Sequence, residues 1–227
     1  MLTLDVKVDL RDQFGPVRDQ GARPTCLAFA TSDSHASLRV GWDPLSGEFA
    51  FYQAQRRAGR TPGQGALLPS MLEALKLDGQ PVEASWPYLA QVPADVSAWV
   101  PPADLGTCFG RNGITGAVDL VGVRLMLSLA QPMVLLTMLS QSFYAPVAGV
   151  VDSAPGELPD PALRHAVVAV GFGEVDGVGA TLVRNSWGSA WGIDGHAWLT
   201  DRFLVPRLFA TVSLLEEVNV RSRSIAA

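Results

Sequence analysis

The chain has 227 residues, of which 48% are hydrophobic and 17% are charged, and this length suits one domain, or one domain of two lobes, with a substantial core. Its 17 basic and 22 acidic residues give a net charge of −5, which excludes the basic surface of a typical nucleic-acid-binding protein. Two cysteines cannot build a disulfide framework, so we expect a reducing compartment or indifference to oxidation.

The N-terminal residues 1–16 alternate apolar and charged side chains and lack the apolar centre of a signal peptide. The longest apolar stretch, residues 117–139, contains Asp119 and Arg124 and is interrupted by Pro132. These features favour a buried helix followed by a strand over a membrane span. We therefore expect no membrane partner and predict a cytoplasmic location, unless the chain is a fragment of a larger protein.

The first half of the chain is predicted to be helical. Four segments show helical spacing of apolar residues: 25–40, 48–59, 68–79 and 121–130. Thr25 is a candidate N-cap of the first helix. Gly59 ends the second, and Pro69 and Gly79 suit the start and the end of the third.

The second half is predicted to form strands. Short apolar or alternating runs lie between glycines and prolines at residues 132–139, 165–173, 180–187 and 195–201. Residues 93–106 and 152–164 are proline-rich and are interpreted as surface connections. Helices followed by strands predict an α+β protein, with two lobes that meet at a cleft.

Cys26 stands at the predicted start of a helix, after Gly21 and Pro24. Unpaired backbone N–H groups and the helix dipole stabilise a thiolate at such a position. A nucleophilic cysteine also needs a base and a group that orients the base. Most free cysteines are small buried hydrophobic residues, and the segment around Cys26 by itself favours that simpler interpretation.

Three histidines are candidates for the base. His35 lies on the helix that begins at Cys26 and is interpreted as a surface or a hydrogen-bonded residue. His196 lies beside a turn and is interpreted as structural. His165 starts a predicted strand directly after an irregular loop, so its side chain can face a cleft while the strand is buried. The alternative for His165 is a structural role at the strand end.

Asn185 lies twenty residues after His165, in a segment rich in glycine and tryptophan. An amide oxygen can accept the imidazole N–H and fix the orientation and tautomer of the ring, as the third group of a catalytic triad does. Trp187 and Trp191 can shield such a hydrogen bond from water. The alternative is an aromatic hairpin without catalytic function.

Three segments in order resemble the papain-like (C1) cysteine peptidases, in the style of bacterial members. PVRDQGARPTCLAFA (16–30) resembles the Gln-Gly stretch before the nucleophile, RHAVVAVGFG (164–173) the histidine strand, and VRNSWGSAWGIDGHAWL (183–199) the Asn-Ser-Trp-Gly block. Looser likeness at residues 63–88 extends the resemblance to about residues 8–205. His165 follows Cys26 by 139 residues, within the family interval of about 130–150, and Asn185 follows it by 159, somewhat beyond.

The resemblance implies a single papain-like peptidase domain over residues 1–227. Its fold would be α+β and two-lobed, with the active site in the cleft between a helical lobe and an antiparallel β-barrel or sheet lobe. The expected boundaries are about 8–115 for the helical lobe and about 116–210 for the β lobe. Residues 211–227 would form a returning strand and a tail.

The resemblance also implies roles for individual residues. Cys26 would attack a peptide carbonyl to give a thioester, His165 would hold the proton and deliver it to the leaving amine, and Asn185 would orient His165. Gln20 would donate its side-chain N–H to the oxyanion beside the Cys26 backbone N–H. The substrate would be a peptide or protein, and the family chemistry needs no metal or cofactor.

Supporting roles follow from the same resemblance. Trp187 would cover the Asn–His hydrogen bond, and Trp191 would pack near Gln20. Gly65 would bind the substrate backbone, where a side chain would obstruct close approach. Leu67 and Ala166 would line an apolar pocket for the residue two before the cut.

The sequence departs from the family pattern before the nucleophile. Arg23, Pro24 and Thr25 replace the usual Cys-Gly-Ser, and the missing cysteine removes a disulfide. Arg164 places a cation beside His165, which should disfavour protonation of the imidazole. Since Asp9 already lies near the expected mature start, we expect no inhibitory pro-segment within this sequence. Restraint would come from a regulatory protein partner, from a removed or separate pro-region, or from narrow specificity.

The implied function is a cysteine endopeptidase with a Cys-His-Asn triad. Two alternatives stay open. One is a catalytically inactive pseudo-protease that acts as a protein-binding module, which the departure at residues 23–25 and the absent pro-segment motivate. The other is a thiol acyltransferase or peptide ligase that uses the same triad.

Overall fold

Two units make up the chain in the computed structural model, which describes residues 2–220. The sheet unit comprises Met1–Asp19 and Thr115–Ser213, and the helical unit comprises Gln20–Ile114 and Leu214–Ala227. Most of the predicted C-terminal tail, residues 221–227, lies outside the described residues. The single domain and its lobe boundaries stay predictions.

Among the described residues, the helical unit contains three α-helices: α1 (Cys26–Ser37), α2 (Gly47–Ala58) and α3 (Leu68–Leu77). Each matches a predicted helix. The hydroxyl of Ser46 caps α2 by accepting from the Phe49 N–H, and Gly59 ends it in the left-handed conformation with φ 62°. Thr25 precedes α1, but its hydroxyl makes no cap hydrogen bond and lies 3.0 Å from the Tyr88 hydroxyl instead. Thr25 is the N-cap residue of α1, as predicted, but its side chain does not cap the helix.

Helix α1 is buried along nearly its whole length, including its polar side chains. His35 is completely buried, and its Nδ1 lies 3.1 Å from Oε1 of Gln80. The surface location considered for His35 is therefore wrong, while its hydrogen-bonded state agrees with the other interpretation. Burial on all sides explains why α1 carries no polar face.

The sheet unit contains strands and short helices. Its elements are β1 (Leu4–Asp9), α4 (Leu120–Ser128), β3 (Met133–Leu139), α5 (Gln141–Tyr144), β4 (Val150–Val151), β5 (Asp160–Val175), β6 (Val178–Arg184), β7 (His196–Thr200) and α6 (Asp201–Leu204). Two further strands, β2 (Gly110–Gly116) and β8 (Leu208–Val218), contribute residues to both units. The strand order is β2-β8-β3-β5-β6-β7-β4, and β1 also pairs with β5.

Pairing within the sheet is antiparallel between β3, β5, β6 and β7, as the sequence predicts, while β4 and β7 are parallel. Strand β5 begins at Asp160, five residues before its predicted start. The sequence predicts a surface connection over residues 152–164 because they are rich in proline, and this prediction is wrong for residues 160–164. Proline is tolerated at a strand start, and Arg164 pairs with Met138 of β3.

The core of the sheet unit contains apolar residues from every long strand of that unit and from α4. Its members include Leu127, Leu135, Val167, Val183, Leu199 and Phe203, each at most 1% exposed. This core fixes β5 and β6, and so fixes the two strands that carry His165 and lead into Asn185. Within residues 2–220, no helix is both long enough and apolar enough to cross a membrane.

Candidate active site

Cys26 is the first residue of α1 and is partly buried. The first four N–H groups of a helix have no partner within the helix, so the position favours a thiolate, as the sequence predicts. Neither Cys26 nor Cys108 forms a disulfide. The helical unit thus places a cysteine thiol at a helix start.

Gln20 lies six residues before Cys26 and is 6% exposed. Its side-chain Nε2 donates to the backbone carbonyl of Arg23 at 2.8 Å. Its backbone carbonyl accepts from the Tyr88 hydroxyl at 2.7 Å. These contacts hold both the main chain and the side-chain amide of Gln20. The predicted oxyanion donor is therefore part of an ordered loop.

His165 and Asn185 are brought together in the sheet unit. Nε2 of His165 lies 2.7 Å from Oδ1 of Asn185, and both residues are almost completely buried. Because an amide oxygen only accepts, the neutral imidazole carries its hydrogen on Nε2 and its lone pair on Nδ1. The N–H of Ser186 also donates to Oδ1 of Asn185 at 2.8 Å, which fixes which way the amide faces.

Burial lowers the pKa of His165 to about 4, although the hydrogen bond to Asn185 acts in the opposite direction. The His165 imidazole is therefore neutral at neutral pH and can accept a proton on Nδ1. The neighbouring Arg164 is exposed, and its Nε donates to the Pro161 carbonyl at 3.1 Å. Burial, and not the cation expected to act from Arg164, lowers this pKa.

An aromatic cluster encloses the imidazole. The ring of Trp187 lies 4.7 Å from that of His165 at an angle of 37°, as a shield of the Asn–His hydrogen bond requires. Phe143 contacts both rings edge to face, at 5.6 Å and 5.3 Å, and Tyr144 stacks on Trp187 at 5.4 Å. The sequence analysis did not identify Phe143 and Tyr144. Two adjacent aromatic residues in α5, shortly after β3, are the signal that could have indicated them.

Trp191 packs against Phe143 in this cluster. Its Nε1 donates to the Phe143 carbonyl at 2.9 Å, and its ring lies 5.0 Å from that of Phe143. A buried tryptophan N–H needs such a partner. The predicted packing of Trp191 near Gln20 stays a prediction.

The three predicted substrate-binding residues lie in different surroundings. Gly65 is exposed in the loop before α3, and Leu67, 45% exposed, directly precedes that helix. A Cβ added at Gly65 would meet only the Pro24 carbonyl oxygen, at 4.0 Å. Ala166 is 2% exposed in β5 and pairs with Leu136. Their roles toward substrate stay predictions.

His196 is interpreted as structural, and its contacts support that interpretation: it is buried, and its Nδ1 lies 2.8 Å from the Asp194 carbonyl. In the described part of the chain, no three His, Cys, Asp or Glu side chains are arranged so that they could hold a metal ion.

Comparison with known proteins shows which family this site resembles. Residues 121–203 match the family described as papain family cysteine protease, a range that includes His165 and Asn185. Pro-cathepsin H of Bos taurus is 25% identical over 191 residues, which cover 80% of this chain and 54% of that protein. Thiol protease aleurain of Arabidopsis thaliana is 30% identical over 191 residues, covering 80% and 51%.

Solved structures resemble the fold over nearly all of the chain. Xylellain, a cysteine protease from Xylella fastidiosa, has a TM-score of 0.75 at 21% identity and covers 93% of this chain and 86% of that one. Digestive procathepsin L 3 of Tenebrio molitor has a TM-score of 0.69 at 21% identity, covering 92% and 69%.

These comparisons confirm the α+β fold and the identification of the chain as papain-like. The matching family is one of thiol proteases, which are hydrolases, and its model matches this chain over residues 121–203. The chain spans about half the length of the curated relatives that it matches.

Proposed function

We propose that this protein is a cysteine endopeptidase in which Cys26, His165 and Asn185 form the catalytic triad. The observation that carries the proposal is the 2.7 Å contact between His165 and Asn185 beneath Trp187. A buried, oriented imidazole with its lone pair on Nδ1 is what a general base toward a thiol requires. The thiol of Cys26, which is not in a disulfide and lies at the start of α1, supplies the nucleophile.

The reaction would proceed by acyl transfer. The thiol proton of Cys26 passes to His165, the sulfur attacks the peptide carbonyl, and the developing oxyanion accepts hydrogen bonds from the Cys26 N–H and the Gln20 amide. The imidazolium then gives its proton to the leaving amine, and a thioester remains. Water, deprotonated by His165, hydrolyses the thioester and releases the acid product.

Restraint of this activity is part of the proposal. Two of the relatives are named pro-cathepsins, and two of the similar structures are procathepsins. We extend this to the present chain as regulation by a pro-region or by a separate protein that covers the substrate site. The cytoplasmic location stays a prediction from the sequence.

A thiol-directed epoxide probe tests the nucleophile. Cys108 is the only other thiol in the sequence, so both cysteines are substituted in turn. We expect the probe to label wild-type protein and a Cys108→Ser variant, but not a Cys26→Ala variant. Labelling that persists in Cys26→Ala would contradict the assignment. A fluorogenic peptide library then gives turnover, which His165→Ala should abolish while His196→Gln retains it.

The two alternatives give different results in the same experiments. A folded wild-type protein that no probe labels between pH 5 and pH 8, even after proteolytic removal of bound inhibitor, would favour the pseudo-protease. Mass spectrometry of products with an added amine separates hydrolysis from ligation. A product that contains the amine in place of water would favour the acyltransferase.

A further inference from the structure

A buried ion pair lies directly before the nucleophile, where the sequence departs most from the papain-like pattern. Arg23 is 7% exposed, and Glu48, in the first turn of α2, is completely buried. The guanidinium contacts the carboxylate through two atoms, at 2.5 Å and 2.9 Å. Because buried charges are costly unless paired and hydrogen bonded, this geometry is tightly constrained.

Further hydrogen bonds use the remaining acceptor capacity of Glu48. The N–H of Leu89 donates to one carboxylate oxygen at 3.0 Å, and the Trp99 indole donates to the other at 2.7 Å. Arg23 also donates to the Leu89 carbonyl at 2.5 Å. A carboxylate accepts about four hydrogen bonds, so Glu48 is saturated and links the nucleophile loop to α2 and to two distant segments.

The same cluster reaches Gln20. The Arg23 guanidinium lies 5.0 Å from the ring centroid of Tyr88, and the Tyr88 hydroxyl contacts the Gln20 carbonyl and the Thr25 hydroxyl at 2.7 Å and 3.0 Å. The backbone carbonyl of Arg23 accepts from the Gln20 amide at 2.8 Å. When one amide hydrogen is bound to a fixed carbonyl, the direction of the second is set as well.

We propose that Arg23 is a positioning residue for the oxyanion donor: its ion pair with Glu48 fixes the carbonyl that orients the Gln20 amide. This rests on the proposed function, in which Gln20 donates to the oxyanion. An oxyanion donor acts in the transition state and contributes little to ground-state binding. Loss of the ion pair therefore lowers kcat and leaves KM nearly unchanged.

The test is a cycle of three variants. In the paired variant, Arg23→Met with Glu48→Gln, no buried charge is left without a partner. We expect its kcat, per active site titrated with the epoxide probe, to fall about 10- to 100-fold, with KM within about twofold. When the paired substitutions are combined with Gln20→Ala, kcat should be less than about threefold below that of Gln20→Ala alone. The reason is that the effects of residues that act as a unit are not additive. Unchanged kcat, or full multiplication of the two losses, would overturn the inference.

Alkylation of Cys26 by iodoacetamide needs no oxyanion donor. It therefore distinguishes a role of Arg23 in positioning Gln20 from a disruption of the nucleophile Cys26. In a Cys108→Ser background, the paired variant should react at the wild-type rate within about twofold. A rate that falls in parallel with turnover would show damage to the nucleophile and refute positioning. Arg23→Lys retains the charge but lacks the planar fork, so we expect kcat between those of the paired variant and wild type.

A matched control lies on the same helix. Arg57 contacts Asp78 at 2.6 Å near the other end of α2, and the paired variant Arg57→Met with Asp78→Asn should leave kcat within about twofold of wild type. A fall like that of the paired variant would show a general effect of ion-pair loss and overturn the inference. If wild type does not turn over peptides, both proposals fail; if wild type is active and Cys26→Ala is not, the cycle alone decides the role of Arg23.

Discussion

The hydrogen bond from His165 to Asn185 assigns different tasks to the two imidazole nitrogens, and a single-atom change tests it. Asn185→Asp replaces a neutral acceptor with a carboxylate of the same shape, which favours the protonated ring. In a Cys26→Ala background, we expect the pKa of His165 to rise from about 4 by at least about one unit, measured by NMR titration of the imidazole.

His35 provides the internal reference in the same titration. Burial lowers the pKa of its imidazole to about 3, and the groups that act on it are Arg111, Gln80 and Arg39, so the substitution at residue 185 should leave this pKa unchanged. A His165 signal that titrates identically in both proteins would refute the contact with residue 185.

Gly65 separates substrate binding from folding. A methyl group there would meet only the Pro24 carbonyl oxygen, at 4.0 Å, so Gly65→Ala should leave the free energy of unfolding within about 0.5 kcal/mol of wild type. If the substrate backbone approaches this position, KM for a peptide substrate should rise about 10-fold or more. Steady-state kinetics and urea unfolding measure the two quantities.

Gly63 is the matched control, because it lies in the same loop and a Cβ there would meet no atom within 4 Å. Gly63→Ala should change neither KM nor stability. Equal KM values for the two variants would contradict a substrate contact at Gly65.

Residues whose role depends on a local pattern were predictable, and residues whose role depends on a distant partner were not. The contact between His165 and Asn185, 20 residues apart, was predicted only because both residues lie in segments that resemble the papain-like family. Nothing adjacent to Glu48 in the sequence reveals that it lies against Arg23, which is 25 residues earlier. The ion pair is a tertiary contact without a periodic signal.

At the scale of elements, α5 places Phe143 beside His165, and Glu157 holds that short helix. The Glu157 carboxylate accepts from the N–H of Ser142 at 2.7 Å and from its hydroxyl at 2.6 Å. Burial acts to raise the pKa of Glu157, but the hydrogen bonds from Ser142 and Ala154 outweigh it and lower the pKa to about 2. The Glu157 carboxylate is therefore charged in the folded protein at neutral pH.

Glu157→Gln should loosen α5, because an amide oxygen accepts more weakly than a carboxylate. We expect a loss of about 1–3 kcal/mol in the free energy of unfolding, and a change in tryptophan fluorescence from the cluster around Phe143. The control is Glu174→Gln on the exposed face of β5, which should change stability by less than about 0.5 kcal/mol. Equal effects of the two substitutions would refute the role of Glu157.

The boundaries of α2 and α3 were predictable because Gly59 ends α2, and Pro69 and Gly79 lie at the start and just past the end of α3. The start of β5 was not, since an exposed strand segment with a proline has the composition of a loop. Pairing partners depend on register across the sheet, which local sequence does not encode.

For the whole molecule, burial of all three histidines makes stability depend on pH. Burial lowers the pKa of His35 to about 3 and those of His165 and His196 to about 4, from the ordinary value of 6.5. Between these values the unfolded chain binds protons that the folded chain does not. Stability therefore rises with pH in this window; it is fully present above about pH 6.5 and is lost as the pH falls toward 4.

Lowering the pH from 7 to 5 should cost about 2 kcal/mol of unfolding free energy for each histidine, measured by urea unfolding at both values. Carboxylates with lowered pKa, such as Glu157, titrate below this range and contribute little within it. His35→Gln removes one titrating group, so its loss between pH 7 and pH 5 should be smaller than that of wild type by about 2 kcal/mol, whatever its stability at pH 7. An identical loss in both proteins would mean that His35 titrates normally in the fold, and would contradict its burial in α1.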